Sequence, residues 1–401
     1  MDGNFGFNKL HYWLCSGKPD TISIGGSAPP SLTLSDMVEL STDPKITQAA
    51  LDFGHIKFDV GSPQGNRQLR ETIAATYNKE LSQLSPDDVI VANGTTGANH
   101  IVHQSLLKSG DHVICQYPAY GPCIEEPEHI GCNISYLRLD PDNGWALDMK
   151  QLEGLIRPGR TKLLVVNNPV NPTGTHLTTA EQREIVALCK KYNVVVHCDE
   201  NFHSLYHADG DVPTSVIEHA ALDYDNVVVT QSLSKVYGLS GVRIGWIVTR
   251  SADLRKTFLS YRVMSLVSVS LIDEAIALEV LGPRVRPRIV SKNLQLAKTN
   301  IGLLQAFIDA HPEVCDWVPP TAGSTVFVKF KDPGTGELVD EVDFCKKLHE
   351  KKKLMLAPGT ICFGHGDLKD EFKGRIRIHF TCPTEKLKAG LQLLDEFLAE
   401  L

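Results

Sequence analysis

The chain has 401 residues, 42% of them hydrophobic and 22% charged, with a formal net charge of -8. That balance suits a soluble globular protein with its own core, and it argues against nucleic acid as the main ligand, since no basic arm offsets the excess of acid. Ten scattered cysteines without a CxxC pair read as free thiols of a reducing cytosol, and no apolar run is long enough to span a bilayer.

The opening residues, MDGNFGFNKLHYWLCSGKPD, carry acid and lack the basic start and long apolar stretch of a secretory leader. Leu69, Ile73, Tyr77 and Leu81 then recur every four residues, which predicts a helix. From residue 89 onward, short apolar runs alternate with helical patterns. Residues 89–92 (VIVA), 112–116 (HVICQ), 134–137, 163–166 (LLVV), 194–198 (VVVHC), 226–230 (NVVVT) and 244–249 (IGWIVT) read as seven strands. Unbroken apolar strands of this kind are buried on both faces, which predicts a mostly parallel sheet with helices on both sides. Between them, Thr178 and Glu181 form a capping box at the start of a helix.

After this region the pattern changes. A long helix is predicted over 288–310, a strand over 325–329, a helix over 341–351, a strand over 375–380 and a final helix over 384–401. In the last, Leu387, Leu391, Leu394 and Leu398 make one apolar stripe. The expected organisation is a large α/β domain over 47–285 and a smaller α+β domain over 286–401, which the N-terminal segment 1–46 joins.

Open α/β sheets bind ligands beyond the C-terminal ends of their strands. After VIVA comes Asn93-Gly94-Thr95-Thr96-Gly97, after HVICQ comes Tyr117-Pro118-Ala119-Tyr120, and after LLVV comes NNPVNPTG, residues 167–174. After VVVHC comes Asp199, and after NVVVT comes Gln231-Ser232-Leu233-Ser234-Lys235. Polar and small residues therefore collect at one edge from five strands. Lys235, among small hydroxyls and glycines with Arg243 eight residues on, has the chemistry of a phosphate cradle. Its spacing is not that of a Walker loop, and the chain has neither a GxGxxG nor a GxSxG motif. The stretch His197-Cys198-Asp199-Glu200-Asn201-Phe202-His203 admits three readings: a metal site, an acid/base pair, or the seat of a cofactor. Adjacent strand residues point to opposite faces, so a zinc site there converges poorly, and no metal is expected.

SLSKVYGLSGVRIGW, NNPVNPTG and the Asp after VVVHC resemble the class I/II aminotransferases, the fold type I enzymes that use pyridoxal 5'-phosphate (PLP). GNRQLRETIAA at 65–75 and APGT at 357–360 fit the same family, in the same order. The resemblance implies an aspartate-aminotransferase-like fold, an α-amino acid as substrate, and a homodimer in the cytoplasm. It also implies roles. Lys235 would form the Schiff base with PLP and then carry a proton between substrate and cofactor. Asp199 would pair with the pyridine nitrogen, Asn171 would donate to the phenolic oxygen, and Tyr120 would stack on the ring, with Phe202 close by. Ser232, Ser234, Arg243 and the backbone of Thr95 and Thr96 would hold the phosphate. Arg377 would clamp the substrate carboxylate, with Arg375 as its rival, and Gly26 in the strip Gly25-Gly26-Ser27-Ala28-Pro29-Pro30 would line the substrate pocket.

Two positions depart from the family pattern. Phe202 stands where most relatives have a tyrosine three residues after the Asp, and Val60 stands where relatives commonly have a tyrosine five residues before Gly65. Phe at the first position, PAY at 118–120 and TCPTEKLKAGL near the end are similar to capreomycidine synthases, PLP enzymes that eliminate and cyclise. Three functions are therefore open: an aminotransferase, a PLP lyase or cyclase, and a non-catalytic binding protein on the same fold.

Overall fold

In the computed structural model, which describes residues 8–77, 84–210, 212–219 and 224–401, the apolar runs of the middle of the chain become one seven-stranded sheet. After a short β1 (Ile22–Ser23), these strands are β2 (Val89–Asn93), β3 (His112–Tyr117), β4 (Asn133–Arg138), β5 (Thr161–Asn167), β6 (Val195–Asp199), β7 (Val227–Ser232) and β8 (Ile244–Val248). Their order is β2-β8-β7-β6-β5-β3-β4. β3 to β7 run parallel, and β8 is antiparallel to both its neighbours.

The sequence pattern follows from burial. Ile114, Leu164, Val166, Val196 and Val229 pack into one hydrophobic cluster, while Val113, Cys115, Leu163 and Val165 pack into another. Alternate residues face opposite sides, and both sides are covered, so the strands show no polar face. β4 corrects this expectation. It lies at the sheet edge with one neighbour, and of its residues only Leu137 is fully buried.

The capping box is present: Thr178 N–H donates to Glu181 Oε2 at 2.7 Å, and Glu181 N–H donates to Thr178 Oγ1 at 3.2 Å. The repeat that starts at Leu69 is shorter than expected. The helix Arg67–Ala74 buries Leu69 and Ile73 and then stops. Thr76 Oγ1 donates to the Ile73 carbonyl at 2.7 Å, taking one of the helix's last acceptors. Tyr77 lies past that end, where its hydroxyl accepts Trp246 Nε1–H at 2.9 Å. Leu81 lies outside the described residues.

The C-terminal part holds β9 (Cys315–Asp316), β10 (Thr325–Phe330), β11 (Leu354–Met355), β12 (Ala357–Pro358) and β13 (Arg375–His379). Four of these form an antiparallel sheet in the order β12-β13-β10-β9, and β11 pairs in parallel with β1. The helices Arg286–Ala310, Glu341–Lys352 and Thr384–Leu398 contribute to a second core, to which Leu387, Leu391, Leu394 and Leu398 supply their stripe. Ile24 is buried in that core, whereas Met37 is buried in the core of the large sheet. The chain between them crosses from one to the other beside the edge where the parallel strands end. No helix among the described residues is long and apolar enough to cross a membrane.

Candidate active site

Parallel strands deliver their following residues to one edge, and here five loops meet a strand of the second sheet. β2 passes into the helix Gly94–Leu106 through Gly94, whose φ is +70°. A Cβ there would lie 2.3 Å from Arg243 Nη2, and one on Gly245 would lie 2.4 Å from the Gly94 carbonyl carbon. The two glycines therefore let Arg243 lie against the start of the helix, where unpaired N–H groups favour an anion. Arg243 Nη1 donates to the Ser240 carbonyl at 2.9 Å and Nη2 to that of Asn93 at 3.5 Å. No carboxylate pairs with it among the described residues. Thr95 Oγ1 is buried at the same place without a partner among the described residues.

Thr95, Thr96, Tyr120, Asn171, Asp199, Phe202, Ser232, Ser234, Lys235 and Arg243 line one inner cavity of about 200 Å³. Gly26 and Arg377 line an adjoining outer cavity of about 470 Å³, which also borders Lys235 and Tyr120. The residues to which the resemblance gives cofactor or substrate roles thus lie at one of two adjoining spaces, which share Ser27, Tyr120 and Lys235.

Lys235 Nζ donates to Ser27 Oγ at 2.9 Å. Burial, then the positive charges of Arg377 and Arg243, pull its amine down to about 8, against the opposing pull of Asp199. Asp199 is fully buried at the end of β6. Its Oδ2 accepts from Asn99 Nδ2 at 2.9 Å and its Oδ1 from Asn201 N–H at 3.1 Å. Burial raises this carboxyl above its ordinary range, and those two donors, the Cys123 thiol and His103 oppose the rise. Burial likewise pushes the Tyr120 hydroxyl up to about 12, so it stays protonated.

The two candidate arginines separate clearly. Both lie on one face of β13, as the two-residue period requires. Arg377 is fully buried, donates from Nη1 to Asn171 Oδ1 at 2.9 Å and from Nη2 to the Gly25 carbonyl, and keeps Nε without a partner among the described residues. Arg375 stacks its guanidinium over Trp145 at 4.7 Å and lines neither cavity.

Sequence reasoning missed Asn99, Asn201 and His379, and it named Ser27 only within the strip expected to line the substrate pocket. Asn99 follows Thr95 by four residues on one helix, so it falls on the same face, a spacing that could have flagged it. Asn201 was visible only as the neighbour of Asp199, and its side chain accepts from Ser232 Oγ at 2.8 Å. His379 comes from a distant segment and carried no local signal, and nothing local tied Ser27 to Lys235.

These residues fit PLP. The cradle that a Cβ on Gly94 would fill, the unpartnered Thr95 Oγ1 and the uncompensated Arg243 suit a phosphate. The buried Asp199 carboxylate suits a ring N–H, and Lys235 offers an amine.

The sequence profile of the family "Aminotransferase class I and II" matches residues 33–394. Capreomycidine synthase of Streptomyces vinaceus is 28% identical over 350 residues, covering 86% of this chain and 82% of that protein. Aspartate aminotransferase of Thermotoga maritima is 26% identical over 369 residues, covering 89% and 88%. The crystal structure of a PLP-dependent aminotransferase from Streptococcus suis superposes with a TM-score of 0.86 at 29% identity, covering 100% of this chain and 99% of that one. The fold is thus aspartate-aminotransferase-like, and the chain belongs to the class I and II aminotransferases, enzymes that depend on pyridoxal 5'-phosphate.

Proposed function

We propose that this enzyme transfers the amino group of an α-amino acid, with PLP seated in the inner cavity and the substrate in the outer one. The observation that carries the reading is one amine, Lys235, bordering both spaces, with a buried carboxylate on the inner space and a buried guanidinium on the outer one. When bound, the cofactor supplies an electron sink for the bond that breaks at Cα.

The chain's own residues supply the rest. Lys235 would hold the cofactor through its amine and, when free, would move a proton at the substrate Cα. An amine drawn down to about 8 holds a useful neutral fraction at working pH. Asp199 accepts the N–H of the ring and keeps that proton in place. Asn171 spends its carbonyl oxygen on Arg377, which leaves its amide N–H₂ to donate to the phenolic oxygen. Arg377, already held by Asn171 and the Gly25 carbonyl, binds the substrate carboxylate. Thr95, Thr96, Ser232, Ser234 and Arg243 hold the phosphate, Tyr120 and Phe202 bound the ring, and Gly26 leaves room for the substrate.

A second reading, elimination or ring closure, is favoured by Phe202. Its ring removes a hydroxyl from the cavity wall, and capreomycidine synthase is among the similar proteins. One experiment separates the two. The loaded enzyme is mixed with single amino acids and no keto acid. An aminotransferase converts the cofactor to its amine form in proportion to keto acid released. Ammonia or a cyclic product with the aldehyde form retained refutes the aminotransferase reading.

The reading includes a homodimer in the cytoplasm. Phe58 is 83% exposed, Val60 78% and Met264 83%, and Gly61 N–H donates to Ser268 Oγ at 3.3 Å, which joins the two segments that carry them. Such an apolar surface suits a second copy of the chain. Sedimentation at micromolar concentration gives twice the chain mass, and a stable monomer with full activity refutes it. Ten unpaired cysteines support a reducing compartment, which imaging of a tagged protein checks.

A further inference from the structure

Behind Asp199 runs a file of buried polar groups that the mechanism above does not use. The helix Gly94–Leu106 presents Asn99 and His103 four residues apart, and β6 presents His197 and Asp199 two residues apart. Each pair therefore shares a face. β7 pairs Thr230 with Asp199, which places its hydroxyl beside them. Glu126, on the helix Pro122–Ile130, closes the outer end.

The contacts form one chain. Glu126 Oε2 lies 3.0 Å from His103 Nδ1, and His103 Nε2 lies 3.1 Å from His197 Nδ1. His197 Nε2 lies 3.1 Å from Thr230 Oγ1, and Thr230 Oγ1 lies 2.6 Å from Asn99 Oδ1. Asn99 Nδ2 reaches Asp199 Oδ2 at 2.9 Å. His103, His197 and Thr230 are fully buried, and Asn99 and Asp199 nearly so.

The direction of this chain follows from valence. An ionised carboxylate only accepts, so Asn99 must turn its amide N–H₂ to Asp199 and its oxygen to Thr230. Thr230 has one proton and gives it to Asn99. Its oxygen must then accept from His197 Nε2–H. A neutral His197 with its proton on Nε2 accepts at Nδ1 from His103 Nε2–H. His103 also faces the carboxylate of Glu126 with Nδ1, so the Glu126–His103 pair holds one proton more than a neutral imidazole and a carboxylate would. The four bonds from His103 inward donate toward Asp199, and His103 Nδ1–H donates outward to Glu126. Burial, reinforced by His103, pushes His197 well below its ordinary range, in keeping with a neutral ring. For Glu126, the bonds and charges of His103 and His100 outweigh burial and leave it an anion. The reversed chain holds the same number of protons, but with the acidic proton on Asp199 and the Asn99 amide turned over. In that state Asp199 offers its proton outward and competes with a ring N–H.

We propose that His103, His197, Thr230 and Asn99 are positioning residues that orient and polarise Asp199 toward the cofactor ring nitrogen, through hydrogen bonds that donate one way from His103 inward, with Glu126 anchoring His103 from outside. This rests on the reading of Asp199 as the partner of that nitrogen.

The test uses the apoprotein, PLP, and the PLP analogue in which a C–H replaces the ring nitrogen. Binding is read by quenching of protein fluorescence. Wild-type protein binds PLP at least about tenfold more tightly than the analogue. Thr230→Val, which removes the link but keeps the volume, weakens PLP by about tenfold and leaves the analogue within about twofold. Thr230→Ser, which keeps the hydroxyl, restores the wild-type preference. Equal losses for both ligands in Thr230→Val overturn the proposal, since a packing role makes no distinction at the ring nitrogen. A wild-type protein indifferent to the two ligands overturns the Asp199 assignment and the chain with it. Nitrogen-15 spectra of the histidines in the loaded protein add an independent check. His197 shows the Nε2–H tautomer and His103 two protonated nitrogens; a proton on His197 Nδ1 refutes the direction.

Discussion

The amine of Lys235 offers the sharpest quantitative prediction. An exposed lysine titrates near 10.5, and the surroundings of Lys235 draw it down to about 8. Near pH 7 an ordinary lysine is neutral in roughly one molecule in 3,000, whereas an amine at about 8 is neutral in roughly one in ten, a gain of about 300-fold in nucleophile. Burial is the first cause, and Arg377 and Arg243 follow. Since desolvation and like charge both penalise the protonated form, the shift can only be downward from these sources. The pH profile of reductive methylation of Lys235 in the apoprotein, followed peptide by peptide by mass spectrometry, measures it. The rate rises with pH and levels off above about 8, while exposed lysines continue to rise. Arg377→Gln removes the largest charge contribution and moves the plateau to higher pH. Asp199→Asn removes the one opposing carboxylate and moves it to lower pH. A Lys235 profile that coincides with that of the exposed lysines refutes the reasoning, and so does an Arg377→Gln profile that moves downward.

Three further outcomes follow from the geometry. Arg377→Lys replaces a two-pronged donor by a point charge, so KM for the amino acid rises about 10- to 100-fold with a smaller change in kcat and no loss of cofactor; an unchanged KM removes Arg377 from substrate binding. Gly94→Ala places a methyl 2.3 Å from Arg243 Nη2 at a φ of +70°, and PLP affinity falls at least about tenfold in fluorescence titration, which a wild-type dissociation constant would contradict. Phe202→Tyr returns a donor to the cavity wall, and the absorbance transition of the lysine-bound cofactor moves to lower pH; an unchanged spectral titration counts against a missing hydroxyl as the cause.

The electrostatic picture also bears on substrate choice. The outer cavity is bordered by Lys235, Arg377 and Lys386, and by His11 and His379, with no carboxylate among its lining residues. Burial first, and then the charges of Arg377, Lys235 and Lys386, hold His379 well below its ordinary range, so it stands there as a neutral hydrogen-bonding group with its Nε2 on Thr381 Oγ1 at 2.8 Å. Among the described residues, a cationic side chain finds no counter-charge on these walls.

Local chemistry made much of this protein legible before any coordinates. Seven apolar runs gave seven strands because a sheet covered on both faces needs every residue apolar, whatever its final neighbours. The stretches that hold Lys235, Asp199 and Asn171 could be singled out because each lies where a strand ends, and the resemblance to the class I/II aminotransferases picked out the residues within them. The edge position of β4, by contrast, depends on which strands become its neighbours, and its half-exposed residues show the result. The two-residue period puts Arg375 and Arg377 on one face, so the sequence choice of Arg377 leaned on the Gly-x-x-Arg spacing from Gly374 alone. Only the packing of β13 against the first sheet sends one to Trp145 and the other to Asn171. The file from Glu126 to Asp199 draws on two helices and two strands, so no window of sequence contains it. Periodicity and strand-end chemistry act over a few residues and are written in the chain. Hydrogen-bond direction, charge proximity and the meeting of Ser27 with Lys235 act through space, and only the folded structure decides them.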